Sequence, residues 1–166
     1  MFGVVLRAVL VLACVAVALM RPESAWLPAL AGAFLVVGYF RSATVWLAWH
    51  AIWDGNHELA SRRLRQVPRV DWLSPQSRAY YEWVSGEIAL VGDDAMRALS
   101  RFRAAAAGRL RSNKDRALAW ARVANAALSA GELAIYKDAL ATTRSLNPSP
   151  HVEALLRDLE SSAPAA

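Results

Sequence analysis

Two kinds of hydrophobic pattern divide the chain. From Phe2 to Met20 the only charge is Arg7, and from Trp26 to Phe40, WLPALAGAFLVVGYF, there is none; the polar turn RPES separates the two runs. A membrane span needs ~20 apolar residues, so these runs predict a transmembrane helical hairpin with spans at about 2–20 and 26–41. The second helix has room to continue through SATVWLAWHAIW to about residue 53. From Ser42 onward apolar positions instead recur at helical spacing between polar ones, without strand alternation or a low-complexity tract. The expected fold class is therefore all-α: a hairpin over 1–41, a helical repeat domain over 42–160, and a disordered tail over 161–166.

The helical region is punctuated at regular places. Gly55, Gly92 and Gly131 lie 37 and 39 residues apart, each between two apolar helical stretches, which predicts three helix pairs. Ser74-Pro75 is an N-cap followed by proline at the first helical position, opening PQSRAYYEWVSGEIALV up to Gly92. Asp93 and Asp94 suit the positive end of the next helix, AMRALSRFRAAAA, which stops at Gly108. Ser112 and Asp115 have capping spacing, so a helix is expected from about Asn113 to Ser129, and Asn147-Pro148 closes its partner. Ser149-Pro150 opens a last helix with Val152, Leu155, Leu156 and Leu159 on one face, as in a terminal capping helix.

These residues resemble the tetratricopeptide repeat. The third unit is similar at Trp120, Ala124, Ala127, Gly131, Leu140 and Pro148. The second is similar through Tyr81, Ser85, Gly92, Ala98, Phe102 and Ala105, with one extra residue at the turn. The first matches at Leu47, Ala48, Gly55, Ala60 and Leu64, with Pro68 early. The resemblance implies an α-solenoid of about three helix pairs with a C-terminal capping helix, acting as a scaffold that binds other proteins or peptides. It also implies a groove lined by the first helix of each pair, at Trp49, Glu82, Gly86, Ala89, Ala121 and Asn125, with Arg122 beside it. Of the family's peptide-carboxylate clamp only Asn125 is present, with Arg78 or Arg122 as substitutes.

Charge sharpens the picture. From Arg41 to Arg111 there are eleven arginines against seven acids, whereas from Ser112 onward six basic residues balance six acids. SRRLRQVPR, with Arg62, Arg63, Arg65 and Arg69, suits either anionic lipid beside the hairpin or a solvated face. Nucleic acid is disfavoured because aromatic residues are not interleaved for stacking. Arg41 and this cluster follow the second span while Arg21 and Glu23 share the turn, so both termini are expected on the cytoplasmic side of a multi-pass protein in the cell membrane. Ala29-Leu30-Ala31 has the form of a signal-peptide cleavage site, but the uncharged run after it argues against cleavage. Trp46, Trp49 and Trp53 fit an interfacial belt or the core of the first helix pair equally well.

Catalytic chemistry has no foothold in the pattern. GxxxxGK[ST], HExxH, CxxC, GxSxG and GxGxxG are all absent, and the single Cys14 sits in an apolar run. His50, Asp54, His57 and Glu58 are the nearest approach to a metal cluster, but they are split across the turn at Gly55 and read as solvated turn residues. Tyr80, Tyr81 and Trp83 read as core aromatics, and His151 as a surface residue. The expectation is a membrane-anchored scaffold at the cytoplasmic face, not an enzyme, needing no cofactor or metal. The competing expectation is a non-catalytic subunit of a membrane enzyme or transport complex whose hairpin makes the main contacts.

Overall fold

The helices begin where a side chain can accept the backbone N–H groups that a first turn leaves unpaired. Asn56 accepts from Leu59 N at 2.9 Å, Ser74 from Ser77 N at 3.1 Å, Asp94 from Arg97 N at 3.0 Å, and Ser112 from Asp115 N at 3.1 Å. Each such cap contributes about 1 kcal/mol. The structure, a computed structural model, describes Trp26, Leu30, Gly32, Gly38 and residues 42–163. The chain divides into two units, Met1–Ala43 and Thr44–Ala166, and the helices below lie in the second.

They are α1 (Thr44–Trp53), α2 (His57–Leu64), α3 (Pro75–Val91), α4 (Ala95–Ala107), α5 (Asn113–Ser129), α6 (Leu133–Ser145) and α7 (Pro150–Ser162). A 3-10 turn, Val70–Trp72, sits between α2 and α3. No strand occurs among the described residues. The capping signals place α3, α4 and α5 where the sequence puts them. α7 runs through Ser162, two residues into the stretch expected to be a tail, and 164–166 lie outside the described residues.

The pairing is antiparallel and sequential: α1 packs on α2, α3 on α4, α5 on α6, while α2 and α4 each pack on the first helix of the next pair, and α7 packs on α5. Within the second and third pairs the helix lengths are identical, 17 residues then 13. The turn inside each pair passes through one left-handed residue: Gly55 at φ 72°, Asp93 at φ 58° and Gly131 at φ 77°. These are spaced 38 and 38 residues apart. The middle unit therefore turns on Asp93, and Gly92, at φ −84°, is an ordinary helix end. An aspartate tolerates the left-handed region better than most residues, which is why a ruler built on glycines is one residue out in this unit.

On the 38-residue frame the packing columns align. Ala48, Gly86 and Ala124 form one column of small buried residues, and Ala51, Ala89 and Ala127 a second. Leu64, Phe102 and Leu140 form a column of large ones on the second helices. The small residues let paired helices approach, and the large ones fill the space. One of the closest approaches is at Gly86, where an added Cβ would stand 2.7 Å from Phe102 Cε1 and 2.8 Å from Cδ1.

The transmembrane expectation is corrected. No helix among the described residues is long and apolar enough to cross a membrane. α1, into which the second span was expected to continue, is 10 residues long and buries Val45, Ala48, Trp49 and Ala51 in the protein's own core. Trp49 packs edge-on to Trp83 and Tyr80, and Trp46 lies against Tyr80, so these two tryptophans belong to the core and not to an interfacial belt. The expected spans, 2–20 and 26–41, lie outside the described residues apart from four isolated positions. The transmembrane hairpin, the membrane designation and the multi-pass cell-membrane location with cytoplasmic termini are not retained.

Candidate binding cleft

The first helices of the three pairs and the capping helix border one cleft of about 410 Å³. α1 contributes Trp49, Ile52 and Trp53; α3 contributes Trp83 and Glu87; α5 contributes Leu118 and Arg122; α7 contributes His151, Ala154, Leu155 and Asp158. The spacing explains the convergence. Trp49 and Trp53, Trp83 and Glu87, and Leu118 and Arg122 are each four residues apart, so each helix presents a single stripe.

Aromatic residues build the floor. The Trp49 ring lies 4.6 Å from Trp83, 5.0 Å from Tyr80 and 5.7 Å from Trp53, all near perpendicular. Edge-to-face pairs of this kind add about 0.5–1.5 kcal/mol each beyond their area burial. Trp83 is 1% exposed and Trp53 59% exposed, so the aromatic group runs from the core out to the rim.

The polar centre is Glu87. It is 6% exposed, the most deeply buried acid among the described residues, and the apolar SGEIALV around it gives no other place for its charge. Its Oε1 accepts from Trp83 Nε1 at 3.1 Å and pairs with Arg122 Nε at 2.9 Å. The bond to Trp83 is local to α3, and the ion pair ties α3 to α5 across the floor. A buried carboxylate is tolerated because both partners face the same oxygen.

A second polar tie sits beside the cleft. Tyr80 donates to Asp115 Oδ2 at 2.7 Å and accepts from the Arg111 backbone N–H at 3.4 Å, fastening α3 to the start of α5. Burial first, and then the Asp115 carboxylate, push the Tyr80 hydroxyl well above the usual tyrosine range.

The expected groove is only partly the observed one. Trp49 and Arg122 line the cleft. Glu82 turns to the second helix of its pair, where its carboxylate meets Arg101 at 2.7 Å. Gly86 is buried against Phe102, and Ala121 is wholly buried in the core. Ala89 borders a separate hollow of about 370 Å³ with Leu64 of α2 and Arg65 just after it. Asn125 is half-buried and outside the cleft. On α3 the face towards the cleft is displaced by one residue, about 100° of helix, from the expected one. Arg78, the other substitute for a clamp, pairs with Asp71 at 3.0 Å.

The basic cluster is engaged locally. Arg62 pairs with Glu58 at 2.9 Å, Arg65 donates to Ser61 Oγ at 3.3 Å, and the Arg69 guanidinium lies over Trp72 at 5.5 Å; Arg63 is half-buried. The lipid contact expected of these four depended on the membrane hairpin and is not retained with it. His50, Asp54, His57 and Glu58 are not brought together, and no group of three or more potential metal ligands occurs among the described residues. His50 Nδ1 instead lies 2.8 Å from the Trp46 carbonyl.

Of the cleft residues, sequence reasoning named only Trp49 and Arg122; it read Trp83 as core and His151 as surface, and did not place Trp53, Glu87, Leu118 or the residues of α7 there. Glu87 carried a signal, an acid set in the apolar second half of its helix, and Trp53 another, an aromatic at the last position of α1. The contribution of α7 follows from its packing on α5, which no local pattern reports. No known family, characterised protein or solved structure matches the chain.

Proposed function

We propose that this chain is a tetratricopeptide-like repeat module that acts as a non-catalytic scaffold, holding a segment of a partner protein in the cleft bordered by α1, α3, α5 and α7. The observation that supports this reading is the cleft itself: an exposed tryptophan beside a buried aromatic floor with one polar pair at its centre. Interfaces anchored on tryptophan and arginine draw most of their affinity from a few such residues. The 38-residue period is longer than the 34 residues usual for the tetratricopeptide repeat, and the helix-pair topology and small-residue columns are what the two share.

Selection of peptides from a display library on the 166-residue chain tests the reading. Selected peptides should bind a Trp53→Glu variant about thirtyfold more weakly, the size of a hot-spot loss, and a Trp72→Glu variant unchanged. Trp72 is a fair control because it is also exposed, at 55%, yet lies outside the cleft. Binders indifferent to Trp53→Glu would place recognition on another surface.

A further inference from the structure

The groups in the cleft also carry information about what it accepts. Glu87 and Arg122 neutralise each other at 2.9 Å, so neither supplies a free charge to a ligand. Asp158, on the exposed side of α7, borders the same cleft and pairs with no cation among the described residues. With Glu87 and Arg122 cancelling, Asp158 leaves the cleft one carboxylate without a cation, in a chain whose formal net charge is +5. Its apolar wall is indole. Trp53 is 59% exposed, so a large part of its ring is open, and the face of an indole carries the negative end of the ring quadrupole. A carboxylate and an exposed indole favour the same kind of ligand, a cation, and both disfavour an anion.

We infer that the cleft receives an arginine side chain presented by an extended segment of a partner protein. The inference rests on the reading of the cleft as a partner-binding site and names what that site recognises. Arginine fits better than lysine because a planar, weakly hydrated guanidinium stacks on an indole while its edge donates to a carboxylate. The remaining aliphatic wall, Leu118 and Leu155, suits the methylene stem behind the guanidinium.

The test uses the whole chain labelled with nitrogen-15, read at its tryptophan indole resonances, and three capped peptides of glycine around one arginine, one citrulline or one glutamate. The arginine peptide should shift the Trp53 and Trp49 indoles saturably and leave Trp72 unmoved. Citrulline keeps the shape and removes the charge, and should bind about tenfold more weakly. Asp158→Asn, an exposed change that leaves the core intact, should weaken the arginine peptide about two- to fivefold and citrulline not at all. Equal binding of citrulline and arginine, or an Asp158→Asn variant that binds arginine as before, overturns the inference. A glutamate peptide that saturates the same indoles overturns the arginine assignment and leaves the cleft a binding site. Cleft indoles that respond to none of the peptides, with display-selected peptides also indifferent to Trp53→Glu, overturn both.

Discussion

Replacing Gly86 by alanine sets two effects of opposite sign against each other, and the structure decides between them. Alanine is favoured over glycine inside a helix by about 1 kcal/mol, so an open site in α3 would gain. Gly86 is not open: its new methyl would stand 2.7 Å and 2.8 Å from two atoms of the Phe102 ring and 3.1 Å from Cγ. Phe102 is fully buried, so the ring has no free end to swing away. Overpacking of this kind costs about 1–3 kcal/mol, which outweighs the propensity gain and leaves a net loss of about 1 kcal/mol. The third repeat shows the remedy, because on the 38-residue frame Gly86 and Phe102 correspond to Ala124 and Leu140. Phe102→Leu alone should cost about 1 kcal/mol through the space it leaves. Gly86→Ala with Phe102→Leu transplants the pair found in the next unit and should cost less than either single change. Urea denaturation followed by circular dichroism at 222 nm measures all four proteins, with coupling read from the cycle. A stabilising Gly86→Ala, or strictly additive losses in the double variant, would refute the argument that α3 and α4 are held at the distance this contact requires.

Other perturbations follow from the same structure. Gly131→Ala should destabilise by about 1 kcal/mol because φ 77° is strained for any side chain, whereas Gly92→Ala should be neutral or stabilising; the reverse order in thermal melts would restore Gly92 as the turn residue. Tyr80→Phe should cost about 1–2 kcal/mol at neutral pH through loss of the bond to Asp115. Because the Tyr80 hydroxyl titrates higher folded than unfolded, its contribution is complete below the ordinary tyrosine value of about 10 and falls as pH rises above it. The wild-type midpoint should therefore converge on that of Tyr80→Phe in alkaline buffer, and a gap that holds or widens would contradict the sign. Tyr136 has a buried hydroxyl with no hydrogen-bond partner among the described residues, so Tyr136→Phe should be neutral or stabilise by up to about 1 kcal/mol in urea titrations; a clear loss would mean that the hydroxyl has a partner.

Local signals carried most of the helical architecture. Ser74-Pro75, Asp94 and Ser112 mark helix starts because a cap is chemistry confined to four residues, and such chemistry can be read in sequence. The frame of the second repeat was harder, since Gly92 advertises a turn while the residue that bends the chain is Asp93, which also suits a helix start. That single displacement moves the expected cleft face of α3 from Trp83 and Glu87 to Glu82 and Gly86. Tertiary partners left no periodic trace: nothing near Glu87 announces Arg122, 35 residues on, and nothing in α7 announces Trp53. The apolar runs at the amino terminus suggested a hairpin by composition, and composition also drew α1 into it, although Val45, Ala48 and Trp49 are apolar because they are the core of the first pair.

The equal spacing of the left-handed turn residues constrains how such a chain can change its length. In the second and third pairs, helices of 17 and 13 residues return to the same phase after a full unit, so an insertion or deletion that adds or removes helix and keeps their interfaces is counted in whole units of 38. Cutting out residues 94–131 joins Asp93 directly to Glu132, the residue that occupies the same place one unit later. The shortened protein would still pair α3 with a second helix of the right phase, whereas losing one or two residues more from inside a helix would rotate its later side chains off their neighbours. Length within its paired helices is a discrete variable.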